Sequence, residues 1–171
     1  MFPVKVAIAK TSLLSLHAAG EVYDPDYLDF LPSGGCFRFM DWMKTNNSPV
    51  VDIADYPVAA DQTWERVPLS ALVNLCAKKN ADGWFCVPHQ ASDAFVSNMA
   101  TYLRDNFPAG KKIRIELSNE IWNAGFTHAA YFKAQAESNW GLADGYADGA
   151  WLACAGKRFA QVMAIFNSVL S

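Results

Sequence analysis

Several things are missing from the 171-residue chain, and most of these absences remove a class of function. There is no run of basic residues. The 14 Lys and Arg are outnumbered by 17 Asp and Glu, for a net charge of −3, so neither a nucleic acid backbone nor an anionic membrane has a patch to bind. There is no CxxC pair. Cys36, Cys76, Cys86 and Cys154 lie far apart, which argues against a zinc ribbon or a thioredoxin-like site and reads as four buried thiols. No apolar run reaches the length of a membrane span. The start, MFPVKVAIAKTSLL, has neither the long apolar core nor the small-residue cleavage site of a signal peptide, so the compartment stays open. Finally, no glycine-rich turn interrupts AKTSLLSLHAAG (residues 9–20) and no GxxxxGK[ST] string occurs. Dinucleotide and phosphate-loop folds are therefore disfavoured, and no cofactor is expected.

What is present is a globular composition, 52% apolar and 18% charged, in a length that suits one domain. Aromatics reach 13%, six of them Trp, enough to supply stacking surfaces as well as a core. Alternation of Val4, Val6 and Ile8 with Lys5, Ala7 and Ala9 predicts a first strand. Residues 10–22 are ambiguous. Asp24-Pro25 predicts a short helix to Leu31, and Cys36–Met43 a second strand. Lys44–Gln62 reads as a long loop, of the kind that forms lids and walls. A helix is expected over Trp64–Lys79 and a third strand over Trp84–Pro88. Asp93 would cap a helix to Asn106, and KIRIELSNEIWN (Lys112–Asn123) holds the fourth strand. Helices over Thr127–Asn139 and from about Gly149 to Leu170 complete the chain.

This β-α-β-α-β-α-β-α order has no hairpin signal and predicts an α/β fold with a parallel sheet. An open doubly wound sheet and part of a (β/α)8 TIM barrel both fit. The polar residues favour the barrel. Ile113, Ile115 and Leu117 would face helices, while Arg114, Glu116, Ser118 and Glu120 face inward. Phe37 and Phe39 would likewise face out, leaving Cys36, Arg38, Met40 and Trp42 inside. His89 ends the third strand, so Arg38, His89, Asn119 and Glu120 are expected to meet at one C-terminal rim. A carboxyl there can protonate a glycosidic oxygen, an amide can hold a hydroxyl, and an indole can lie against a sugar's C–H face. Arg38 can equally pair with Glu116 as structural ballast, His89 can bond backbone, and Asn119-Glu120 can merely turn the chain.

Arg on the second strand, His ending the third and Asn-Glu ending the fourth resemble the clan A glycoside hydrolases, retaining (β/α)8 enzymes that include cellulases, mannanases and xylanases. RFMDWMKTN (Arg38–Asn46) and ELSNEIWN (Glu116–Asn123) are closer still to large bacterial members linked to cellulose-binding modules. The resemblance runs from Tyr23 to Trp140. It implies Glu120 as acid/base, Asn119 on the sugar 2-hydroxyl, and Arg38 and His89 as support residues. Trp42, Trp84, Trp122 and Asn123 are the candidate substrate contacts, and the implied partner is a secreted enzyme's β-glycan. The clan's nucleophile, a second Glu on the seventh strand, has no counterpart here, and a full barrel takes roughly 250 residues. Residues 1–171 are therefore expected to be the N-terminal half of a catalytic barrel, inactive alone. Such a half is prone to self-associate or to pair with its missing half through open sheet edges. A glycan-binding protein without turnover is the alternative. A metal-dependent hydrolase is disfavoured, because His17, His89, Asp93 and His128 lie on separate elements without diagnostic spacing.

Overall fold

Three parallel strands, β1 (Cys36–Arg38), β2 (Asp82–Val87) and β3 (Ile113–Leu117), lie in the order β1-β2-β3. The computed structural model describes residues 10–61 and 63–171, so the strand expected at Val4–Ile8 lies outside the described residues. Among the described residues six α-helices accompany the sheet: α1 (Leu14–Ala18), α2 (Pro25–Phe30), α3 (Leu69–Lys78), α4 (Asp93–Asn106), α5 (Thr127–Trp140) and α6 (Ala150–Leu170). The mixed α/β class with a parallel sheet is thus observed.

Register decides the two faces. Arg38 pairs with Trp84 and Trp84 with Arg114, while Cys86 pairs with Glu116. Paired residues in a parallel ladder point the same way, and alternate residues point oppositely. One face therefore carries Phe37, Phe39, Phe85, Val87, Ile115 and Leu117 into the helices. There Phe39 and Phe85 pack at 5.4 Å between centroids, and Phe85 meets Phe107 edge-on at 5.8 Å. Leu72 of α3, Phe95, Met99 and Leu103 of α4, Phe132 of α5 and Phe166 of α6 are fully buried in the same core. The opposite face carries Cys36, Arg38, Asp82, Trp84, Cys86, Arg114 and Glu116, of which Cys86 alone is buried. A doubly wound sheet would bury both faces.

Several boundaries differ from the pattern-based expectation for local reasons. β1 ends at Arg38 instead of Met43. Phe39 still donates to the Trp84 carbonyl (3.0 Å), but Met43 N–H then turns back to the Phe39 carbonyl (2.9 Å) and the Thr45 hydroxyl donates to the Met40 carbonyl (2.8 Å). Left-handed backbone at Lys44 and Asn47 (φ 46° and 56°) completes the bend. The expected alternation beyond Arg38 is lost, and Trp42 leaves the inner face to stack on Tyr23 and Tyr27 at 6.4 and 6.3 Å. α3 starts at Leu69 and not Trp64, because Pro68 restrains the residue before it to extended backbone. The cap of α4 is Ser92, whose Oγ accepts from Phe95 N–H at 3.1 Å; Asp93 sits in the first turn and pairs with Arg158 at 2.6 Å.

At Gly83 a Cβ would lie 2.6 Å from the Phe85 ring and 3.0 Å from the Phe107 ring. Gly83→Ala should therefore overpack the sheet–helix interface and lower stability by about 1–3 kcal/mol, read as a shift of the urea midpoint at unchanged slope.

Candidate functional site

The inner face is organised by Arg38. Its Nε donates to Glu116 Oε2 (3.0 Å), and its Nη2 donates to Glu116 Oε1 (2.9 Å) and Oε2 (2.8 Å). The same Nη2 donates to Asn119 Oδ1 at 2.8 Å, and the guanidinium lies 5.3 Å from the Trp84 ring centroid. One cation thus joins β1 to the middle of β3, to the corner beyond it and to β2. Nearer the other end of the strands Arg114 pairs with Asp82 at 2.8 Å, and the Lys112 N–H and then Arg114 hold the Asp82 carboxyl below its usual range. Cys86 Sγ lies 3.6 Å from Glu116 Oε2. Burial first, then the Glu116 charge, push this thiol up to about 12, which keeps it protonated and unsuited to act as a nucleophile at neutral pH.

Past Leu117 the chain makes a tight corner. Ser118 N–H still donates to the Val87 carbonyl (2.8 Å), but Ser118 and Glu120 both adopt left-handed backbone, φ 56° and 42°. For residues with a Cβ this costs about 1–2 kcal/mol each. Three sets of bonds hold it. Asn119 accepts from Arg38, and its Nδ2 donates to Asn46 Oδ1 at 3.1 Å. The Glu120 carbonyl accepts from Asn123 N–H at 2.8 Å and from His128 Nε2 at 3.2 Å. From α6, Trp151 Nε1 donates to the Ile121 carbonyl at 3.1 Å.

The corner breaks the expected strand parity, in which Ser118 and Glu120 continue the inward row. Ser118 is buried, and Asn119, only 6% exposed, turns to Arg38 instead. Glu120 is exposed, with Oε2 accepting from Asn123 Nδ2 at 3.2 Å. Trp122, beside it in sequence, is 65% exposed. Two bonded pairs, Arg38–Asn119 and Asn123–Glu120, are therefore joined at the Asn119–Glu120 peptide, with Trp122 beside them in sequence.

Three other candidates sit elsewhere. Trp42 belongs to the aromatic stack with α2. Trp84 lies within the sheet face under Arg38, not at the rim. His89 is 1% exposed beneath α5, its ring 5.7 Å from His128 and 5.3 Å from Tyr131, and burial followed by the His128 charge push it down to about 4. It reaches the corner only through His128.

Asn46 and Asn47 were not foreseen, and His128 was weighed only as a metal ligand. Asn47 Oδ1 caps α5 by accepting from Thr127 N–H at 2.8 Å, tying the loop after β1 to the helix that flanks the corner. The acids of the long loop serve the backbone. Asp55 accepts from Val51 and Asp52 N–H, Asp61 accepts from Val58 N–H, and Asp52 accepts from the Ser92 hydroxyl. Asp41, expected to point outward, is exposed in the turn after β1, and its charge acts on Arg38. Among the described residues no group of three or more His, Cys, Asp and Glu side chains is placed to share a metal ion. Beside the free edge of β3, Trp84, Glu116, Ile121, Leu152 and Phe159 line an open groove of about 390 Å³.

No family model, curated protein or solved structure matches the chain.

Proposed function

We propose that the chain is the N-terminal part of a (β/α)8 glycosidase-like unit acting on β-linked glycans, with Glu120 as acid/base. The observation that carries this is the corner Ser118–Glu120. Two residues with side chains are kept in left-handed backbone, and the result is one buried, doubly bonded amide beside one exposed carboxyl at the C-terminal end of a parallel strand. Backbone strain concentrates where a side chain must be aimed. The corner lies at the C-terminal end of the parallel strands, the end at which a (β/α)8 barrel places its active site.

In this role Glu120 gives its proton to the glycosidic oxygen as the C1–O bond breaks. A second carboxylate then forms a covalent bond to C1, and Glu120 next takes a proton from the water that releases the sugar. Asn119 holds one Nδ2 proton on Asn46 and keeps the other for a sugar hydroxyl. Arg38 fixes Asn119 and neutralises Glu116, so the field at Glu120 is not that of two adjacent bare carboxylates. Trp122 offers its exposed indole to a pyranose face.

One observation favours the non-catalytic alternative. Among the described residues, the loop acids Asp52, Asp55 and Asp61 are bonded to backbone or to Ser92, and Glu116, the second carboxylate near the corner, is held bidentate by Arg38. Both versions predict binding. Calorimetric titration with β-linked hexasaccharides of glucose, mannose and xylose should give saturable binding to at least one, and none to an α-linked glucan. Trp122→Ala and Asn119→Ala should each weaken that binding about tenfold or more. Equal binding of α- and β-linked chains, or unchanged affinity in both variants, counts against the assignment.

A further inference from the structure

Two imidazoles stand behind the corner with complementary unfilled positions. His128, in the first turn of α5, is 0% exposed, and its Nε2 lies 3.2 Å from the Glu120 carbonyl. A carbonyl only accepts, so Nε2 carries the proton and Nδ1 of the neutral ring is a lone pair. That Nδ1 is buried without a partner. His89 is the reverse case. Its Nε2 lies 3.2 Å from the Gln90 side-chain nitrogen, which only donates, so Nε2 accepts and the proton sits on Nδ1. That Nδ1 is also buried without a partner. The ring centroids are 5.7 Å apart at an interplanar angle of 67°. A buried donor and a buried acceptor on adjacent rings each lack what the other offers. A direct bond after a small ring rotation, or one bridging water, satisfies both at once.

The electrostatics favour the same neutral pair. The N-terminus of α5 bears partial positive charge, which disfavours an imidazolium in its first turn. The groups facing His128 are the Glu120 carbonyl, Phe126 and His89; those facing His89 are Gln90, Tyr131 and His128. The bond to the Glu120 carbonyl and the Glu120 charge favour a protonated His128, but burial outweighs both. Burial lowers the proton affinity of both rings.

We infer that His128 is a positioning residue for Glu120: its Nε2–H, set by the matched His89 ring, holds the Glu120 carbonyl and with it the left-handed backbone that presents the carboxyl at the rim. Through the carbonyl bonds to Asn123 and His128 the peptide that follows Glu120, and with it the ψ of Glu120, is tied to both the following turn and α5. Loss of the His128 donor releases the α5 tie and leaves the strain at Glu120 opposed by fewer contacts. The consequence for sugar binding rests on the glycan assignment above; the positioning itself does not.

The test is NMR on the full chain with isotope-labelled histidine and backbone. Wild-type protein should show His128 as the Nε2–H tautomer and His89 as the Nδ1–H tautomer. His128→Phe keeps a ring of similar size without the donor, and should move the Glu120 Cα and carbonyl shifts away from left-handed values while the β2 shifts stay in place. His128→Gln, whose amide reaches the same carbonyl, should restore them. Affinity for the β-linked hexasaccharide should fall at least fivefold in His128→Phe and return in His128→Gln. An Nδ1–H tautomer at His128, or unchanged Glu120 shifts in His128→Phe, overturns the inference. If His128→Phe does not fold, the wild-type tautomers still decide it, since an Nδ1–H tautomer at His128 leaves no donor for the Glu120 carbonyl. If wild-type protein binds no glycan, the glycan assignment falls, and the tautomers and shifts decide the positioning role by themselves.

Discussion

Glu120→Gln, in a barrel completed by a second carboxylate, is expected to cut turnover of natural β-glycans by about 10²–10⁴-fold, the range typical of a lost general acid. The exposed carboxyl and its one neutral hydrogen bond, from Asn123, let Gln occupy the same place, so substrate affinity should change little. Aryl glycosides with good leaving groups need less proton assistance and should lose far less in the bond-breaking step. Steady-state kinetics on both substrate types check this. An equal loss on both would show that Glu120 does not protonate the leaving group. Robust hydrolysis by residues 1–171 alone would instead place the second carboxylate within this chain. Asp41, in the turn after β1 and close enough to act on Arg38, is then the first residue to replace.

Acid should destabilise the fold well before the carboxylates titrate. An unfolded imidazole takes up its proton near pH 6.5, whereas burial and His128 hold folded His89 down to about 4. Between these values the unfolded chain binds more protons than the folded one. The contribution of a neutral His89 is therefore complete above pH 6.5 and is lost progressively as pH falls toward 4. The loss amounts to about 3 kcal/mol at most, by the usual conversion of a pKa difference. His128, shifted in the same direction by burial, adds to it. The carboxylates held below their ordinary range, Asp82 by Lys112 and Arg114 and Glu137 by Lys133 and Gly145, give way only at lower pH. Urea unfolding at pH 7 and pH 4.5 should show a large drop for wild type and a much smaller one for His89→Phe, whatever that variant's stability at pH 7. The same drop in both would assign the acid sensitivity elsewhere.

The parts of the molecule that obey simple periodicity were legible in the sequence. Period-two alternation at Ile113–Leu117 located β3 and its two faces, and the apolar stripes located α4 and α6. Parity also put Arg38 and Glu116 on one face, where they form the bidentate pair. Legibility stopped where local backbone chemistry replaces the period. The turn at Met40–Thr45 removed Trp42 from the sheet face, and the left-handed corner at Ser118 and Glu120 exchanged the orientations that alternation assigns to Ser118 and Asn119. Neither carries a glycine to announce it. Tertiary bonds hold both: Asn119 to Arg38 and Asn46, and Asn47 to the start of α5. The contact of His128 with the corner was hidden for a related reason. A histidine near a helix start reads as an ordinary surface or core residue until the corner folds back onto it. The exposed Leu152 and Phe159 of α6 are the mirror case, since their stripe was read correctly but one flank faces the open groove at the β3 edge.

A crystal structure of the chain with the tightest-binding β-linked hexasaccharide tests the central claim most directly. The sugar is expected to cross the β3 rim with a glycosidic oxygen within about 3 Å of a Glu120 carboxyl oxygen. Asn119 Nδ2 should contact a ring hydroxyl there, and Trp122 should lie against a pyranose face. A sugar bound away from this corner, or one at the corner with Glu120 turned from every glycosidic oxygen, would contradict the assignment of Glu120 as the acid.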